Sequence, residues 1–185
     1  MRIGLMGGSF DPVHYGHLRA AQWSLEVFGL DEVRLVPAGQ SPFKGPCVAS
    51  AENRLAMLEL AVSDHDSIRV EGCELRRDPP SYTVDTLRAL ARREPDTKFT
   101  LILGSDAASG LDSWRQAEEL RRLVEIEILV RPGENDAEIP PHAHVFEGLA
   151  VSATSLRSAV KAGRSIRYLT PESVRRYIEE KGLYK

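Results

Sequence analysis

Two histidines three residues apart, His14 and His17, close the string Gly7-Gly8-Ser9-Phe10-Asp11-Pro12-Val13-His14-Tyr15-Gly16-His17. A mostly apolar run over residues 2–6 precedes the glycine pair, and an amphipathic stretch follows the histidines. The pattern reads as a buried strand that turns tightly and feeds the first turn of a helix. Glycines at such a turn let the backbone pass close to a ligand. The helix start gathers amides that lack intrahelical acceptors, and it attracts anions. Two imidazoles there add donors that can meet a phosphate. Because residues three apart share a helix face, the pair also suits a zinc ion, but zinc needs more ligands and no other Cys or His lies nearby in sequence.

These side chains need a scaffold. Strands are expected over 2–6, 32–37, 68–72, 98–104 and 125–130, with a short edge strand over 143–146. Helices are expected over 17–28, 50–63, 81–93, 152–162 and 170–181, with short helices around Trp114. In the first helix Leu18, Ala21, Leu25 and Phe28 face inward and Gly29 ends it; Ser50 caps the second, whose stripe is Leu55, Leu58, Ala61 and Val62. Val84, Leu87, Leu90 and Ala91 line the third, while Thr170 caps the last with Pro171 in its first turn. Strand alternating with helix implies an α/β fold: a Rossmann-like, doubly wound, mostly parallel sheet flanked by helices, with a small C-terminal helical part. No repeat, low-complexity tract or long linker divides it, so residues 1–185 read as a single domain. An open parallel sheet binds ligands beyond the carboxyl ends of its strands, where strand order reverses. Three polar, glycine-bearing segments fall at such ends: the loop after the first strand, Gly104-Ser105-Asp106, and Arg131-Pro132-Gly133.

Composition narrows the ligand. With 24 Lys and Arg against 27 Asp and Glu the net charge is −3, whereas a nucleic-acid binder is usually basic. A small phosphorylated ligand in a local basic pocket fits better. Two cysteines, Cys47 and Cys73, form neither a CxxC motif nor a disulfide framework, which suits a reducing cytoplasm. No signal-peptide pattern opens the chain, and no apolar run approaches the ~20 residues of a membrane helix. The sequence leaves open whether the chain forms a homo-oligomer.

The first string resembles the signature of the His-x-Gly-His nucleotidyltransferase superfamily. With Gly-Gly-Ser-Phe-Asp-Pro in front, it most resembles the bacterial nicotinate-nucleotide adenylyltransferase family. That resemblance implies adenylyl transfer from ATP, carried with Mg²⁺, to nicotinate mononucleotide, giving nicotinate adenine dinucleotide and pyrophosphate in NAD biosynthesis. It implies that His14 and His17 contact the phosphates of ATP, beside Gly7, Gly8, Ser9 and Phe10. Val151-Ser152-Ala153-Thr154-Ser155-Leu156-Arg157 resembles the family's Ile-Ser-Ser-Thr-x-Ile-Arg, which assigns Thr154 and Arg157 to the same triphosphate with Ser152 as a helper; Ala153 has lost a hydroxyl and takes no role. The helix-capping function of such a Ser/Thr string is the plainer reading of the residues alone.

Ser81-Tyr82-Thr83-Val84-Asp85-Thr86-Leu87 resembles the family segment whose amides bind the nicotinate carboxylate, which points to Tyr82 and Thr83. Gly104 and Asp106 resemble the family's Gly-x-Asp, with Asp106 on a ribose. Trp114 in Leu111-Asp112-Ser113-Trp114 resembles the residue that stacks on the pyridine ring. Lys44 and Arg131 resemble basic residues near the substrate. No carboxylate cluster marks a metal cage, so Mg²⁺ is expected on ATP and water. His65, His142 and His144 match no motif and read as surface groups.

Overall fold

The computed structural model describes residues 1–40, 45–130 and 143–185. Among them, strands β1 (Arg2–Gly8), β2 (Glu32–Pro37), β3 (Ile68–Val70), β4 (Lys98–Gly104), β5 (Glu125–Val130) and β6 (Ala143–Val145) form one sheet. Every pairing is parallel and the order is β3-β2-β1-β4-β5-β6. The order reverses between β1 and β4, so their carboxyl ends open a crevice for a ligand. The expected Rossmann-like α/β architecture is present.

The helices are α1 (Tyr15–Val27), α2 (Ala51–Ala61), α3 (Thr83–Arg93), α4 (Ser105–Ala108), α5 (Ala117–Leu123), α6 (Ala153–Lys161) and α7 (Glu172–Lys181), with 3₁₀ turns at Gly72–Arg76 and Leu111–Ser113. Alternation along the strands divides the core. Ile3 and Leu5 of β1, with Phe99, Leu101 and Leu103 of β4, meet Leu87 and Leu90 of α3 and Leu120 of α5. Met6 and Ile102 point the other way, to a layer holding Ala20 and Ala21 of α1, Met57 and Leu58 of α2, Leu156 of α6, and Val174 and Ile178 of α7. No helix among the described residues is long and apolar enough to cross a membrane.

Several boundaries differ from the sequence reading, each for a local reason. Strand β1 does not stop at the glycines but runs through Gly8, pairing Gly7 with Val36 and Gly8 with Pro37. The turn is taken instead by Phe10, in the left-handed region with φ 48°. Helix α1 starts at Tyr15, with His14 as its N-cap. Strand β3 ends at Val70, short of the expected residue 72, because residues 72–76 wind into a 3₁₀ turn. In α2 the buried residues are Arg54, Met57 and Leu58 rather than Leu55, and Ala91 of α3 is exposed. Pro171, not Thr170, is the N-cap of α7, because the Thr170 hydroxyl is used elsewhere. Gly29 and Gly182 do close their helices, at φ 57° and 63°.

Candidate active site

The crevice between β1 and β4 is a cleft of about 900 Å³. Along its wall lie Gly7, Gly8, Ser9, Phe10, His14 and His17 from the first motif, Gly104 and Asp106 after β4, and Ser152, Thr154 and Arg157 of α6 and its cap. Tyr82, Thr83 and Trp114 line the same space. Segments far apart in sequence thus converge as expected. Lys44 and Arg131 lie outside the described residues, as do residues 131–142, among them His142.

The histidine pair is held rigidly. His14 is buried, and its ring stacks on that of His17 with centroids 3.7 Å apart, while Phe10 meets His17 edge-on at 4.9 Å. The His14 amide donates to Nδ1 of His17 at 3.3 Å. That bond sets the tautomer, so the proton of a neutral His17 sits on Nε2. Gly16 has a steric reason to be glycine: a Cβ there would lie 3.0 Å from Cε1 and Nδ1 of His14. A Cβ on Gly7 would meet nothing within 4 Å.

Arg157 ties the first motif to the start of α6. One of its nitrogens donates to the Asp11 carbonyl at 2.7 Å and another to Oγ1 of Thr154 at 3.2 Å. Ser152 lines the cleft, but its oxygen accepts the Ser155 amide as a helix cap. Both readings of that segment are therefore compatible: it starts a helix and it faces the cleft.

At the part of the cleft lined by Tyr82 and Thr83, α3 starts at Thr83, and its N-cap Tyr82 supplies no side-chain oxygen to the first turn. The Asp85 and Thr86 amides bond the Tyr82 carbonyl at 3.1 and 3.3 Å, while amides at the very start of a helix, such as those of Tyr82 and Thr83, have no intrahelical acceptor and can take a carboxylate. The Arg115 guanidinium sits 4.6 Å from the centre of the Tyr82 ring, a cation–π contact at the cleft wall.

Five residues at or behind the wall, Asp11, Arg54, Glu74, Thr170 and Tyr184, were given no site role by sequence reasoning. The buried Asp11 carboxylate accepts the amides of Val48 at 2.7 Å and Ala49 at 3.1 Å, and the Tyr184 hydroxyl at 2.7 Å. Burial and the Asp11 carboxylate together push the Tyr184 phenol well above its ordinary range. Thr170 donates to the Val13 carbonyl at 2.8 Å. Arg54, 2% exposed, donates to the carbonyls of Ser9 at 2.8 Å and Gly39 at 3.3 Å, tying together the loops that follow β1 and β2. Helical spacing did carry a signal for Arg54, which shares a face with Met57, Leu58 and Ala61. Glu74, also buried, lines the cleft from the 3₁₀ turn. His65 and His144 are not idle surface groups: His65 Nδ1 accepts the amides of Ser67 and Ile68, and His144 pairs with Glu127 at 2.8 Å.

Comparison with known proteins bears on this geometry. The cytidylyltransferase-like family matches residues 5–159. Over 196 aligned residues the chain is 42% identical to a Synechococcus sp. (strain JA-3-3Ab) protein named "Probable nicotinate-nucleotide adenylyltransferase", covering 99% of this chain and 94% of that protein. An Exiguobacterium sibiricum protein of the same name is 43% identical, covering 100% of this chain and 99% of its own length. The chain belongs to the nicotinate-nucleotide adenylyltransferase family. It is accordingly a nucleotidyltransferase. The fold is similar to that of Plasmodium falciparum nicotinic acid mononucleotide adenylyltransferase complexed with NaAD, at a TM-score of 0.81 and 20% identity over 99% of this chain and 97% of that one. In this nicotinate-nucleotide adenylyltransferase relative, therefore, the cleft at the strand reversal is the place to read the chemistry.

Proposed function

We propose that the protein transfers the adenylyl group of ATP to nicotinate mononucleotide, forming nicotinate adenine dinucleotide and releasing pyrophosphate, a step of NAD synthesis. The observation that carries this reading is the convergence, in one cleft, of the His14–His17 pair, Thr154 and Arg157 with the uncapped start of α3 and Trp114. Family membership through 42% identity over nearly the full chain agrees with it.

A phosphate monoester has its second pKa near ~6, so at neutral pH the attacking group is already mostly dianionic. A mononucleotide phosphate oxygen forms a bond to the α-phosphorus of ATP, the bond from that phosphorus to its bridging oxygen breaks, and pyrophosphate takes the electron pair. No proton has to be removed first. The work of the protein is to align two anions and offset the charge that develops between them. The backbone from Gly7 to Phe10, His14, His17, Ser152, Thr154 and Arg157 face the triphosphate. Gly104 and Asp106 meet the adenylyl ribose. Amides of Tyr82 and Thr83 receive the nicotinate carboxylate, and Trp114 stacks on the pyridine ring. Lys44 and Arg131 complete the basic surroundings of the substrate.

Enzymes of this kind take ATP with a divalent ion, here Mg²⁺. Among the described residues no group of three or more His, Cys, Asp or Glu forms a metal site. The Asp11 carboxylate in the cleft is engaged by two amides and a phenol. The fitting arrangement is an ion carried by phosphate oxygens and water, where it neutralises charge. Pyrophosphate release from Mg-ATP, measured with nicotinate mononucleotide, nicotinamide mononucleotide and phosphopantetheine in turn, tests the proposal. Fastest release with the nicotinate acceptor is expected. Release with phosphopantetheine alone would overturn the reading, and tight ATP binding with no release for any acceptor would make the chain a sensor.

A further inference from the structure

Glu74 is a buried carboxyl group that the reaction above does not use. It stands in the 3₁₀ turn Gly72–Arg76, is 8% exposed, and lines the cleft beside Ser81, Tyr82, Thr83 and Thr86. Its Oε1 accepts the Thr86 hydroxyl at 2.7 Å. Arg77 lies 3.9 Å from the same oxygen and also donates to the Thr86 hydroxyl. Thr86 is buried in the first turn of α3, where its amide bonds to the Tyr82 carbonyl at 3.3 Å. Glu74 also acts through its main chain: its carbonyl accepts the Ser81 hydroxyl at 3.5 Å. Gly39 permits this close approach, since a Cβ there would lie 2.7 Å from Oγ of Ser81 and 2.8 Å from the Glu74 carbonyl.

One residue thus holds Ser81 with its carbonyl and Thr86 with its carboxylate. Those two residues bracket Tyr82 and Thr83. The arrangement is a poor one for stability alone. Burial pushes the Glu74 carboxyl above the usual carboxylate range, which means that the ionised form is disfavoured in the fold. A neutral side chain of similar shape would serve packing at least as well.

We propose that Glu74 is a positioning residue of the mononucleotide site: by holding Thr86 with its side chain, beside the Ser81 contact of its main chain, it aims the amides of Tyr82 and Thr83 and so sets the preference for an acceptor that carries a carboxylate. This rests on the reading of those amides as the carboxylate site.

The test is steady-state kinetics of the full chain with Mg-ATP and either nicotinate or nicotinamide mononucleotide, for the unaltered protein, Glu74→Ala, Glu74→Gln, Thr86→Val and the Glu74→Ala/Thr86→Val pair. Glu74→Ala is expected to raise KM for nicotinate mononucleotide about tenfold, the scale of one lost buried hydrogen bond, with KM for ATP within about twofold. The ratio of kcat/KM for acid over amide falls by a similar factor. Glu74→Gln, whose amide oxygen still accepts from Thr86, stays within about threefold of the unaltered protein and melts no lower at pH 7. Because Glu74 acts through Thr86, the double variant is no worse than the poorer single one. Equal increases in both KM values, or an unchanged mononucleotide KM in folded Glu74→Ala, would overturn the proposal. If Glu74→Ala does not fold, Thr86→Val decides in the same way. An unaltered protein with no preference for the acid would overturn the carboxylate reading itself, whatever the variants do.

Discussion

His17 lines the cleft with its tautomer fixed by its neighbour. With Nδ1 accepting the His14 amide, the proton of a neutral ring sits on Nε2. Removing one preorganised donor to transition-state charge typically costs ~10²–10³ in turnover, and His17→Ala is expected to lower kcat by about that factor. Single-turnover measurement with saturating substrates checks it; a loss below threefold would remove His17 from the reacting phosphates. Gly16→Ala separates positioning from folding. Alanine favours a helix by ~1 kcal/mol over glycine, so the variant is expected to melt no lower. Its Cβ, however, would press on the His14 ring at 3.0 Å. A drop in kcat of about tenfold at unchanged melting temperature is expected, the scale of a displaced catalytic group. The two histidines were legible from their spacing. The reason for the glycine between them was not, because it depends on where the His14 ring folds back.

At the scale of elements, β4 and β5 have the same bounds in the sequence reading and in the structure. Strand β4, central in the parallel sheet and buried from Phe99 to Leu103, reads as a near-continuous apolar run, whereas β5 shows through Ile126, Ile128, Leu129 and Val130 between Glu125 and Glu127. Helix starts were less legible. The hydroxyl expected to cap α7 belongs to Thr170, which donates to Val13, and no local rule foretells so distant a partner. Helix α3 is pinned to the sheet by charge as well as by its apolar face. Arg34 of β2 donates to both carboxylate oxygens of Glu94, at 2.7 and 2.8 Å, and also bonds Glu32. The Arg34 guanidinium lowers the Glu94 carboxyl to about 2. A carboxyl whose folded pKa lies below its unfolded value contributes stability above the unfolded value, and that contribution fades as pH falls toward the folded one. Glu94→Gln should therefore lower the melting temperature clearly at pH 7 and much less near pH 2. Equal losses at both pH values would show that packing, not charge, holds the C-terminal end of α3.

Across the whole molecule, the C-terminal part grips the first motif at alternate residues, Asp11, Val13 and Tyr15. Tyr184 donates to the Asp11 side chain, Arg157 to its carbonyl, Thr170 to the Val13 carbonyl, and the Leu169 carbonyl accepts the Tyr15 amide at 3.0 Å. The C-terminal partners of Asp11 lie 146 and 173 residues away in sequence. Composition and periodicity gave no sign of this, since a lone tyrosine one residue from the C-terminus carries no pattern. Tyr184→Phe isolates the contact. It removes one hydroxyl and leaves the ring, so the core it fills is kept. A buried hydrogen bond to a charged group is worth ~1.5–3 kcal/mol, which for a chain of this size is a fall of roughly 3–12 °C in melting temperature. The functional loss should follow the geometry. Asp11 sits between the glycine strand and the histidines and receives Arg157, so its displacement disturbs the triphosphate side. KM for ATP should rise or kcat fall several-fold while KM for the mononucleotide holds, the opposite of the pattern expected from Glu74→Ala. A Tyr184→Phe protein that melts lower and keeps its kinetics would make the C-terminal part a staple of the fold alone. One that changes both KM values together would mean that the two halves of the cleft move as a single body.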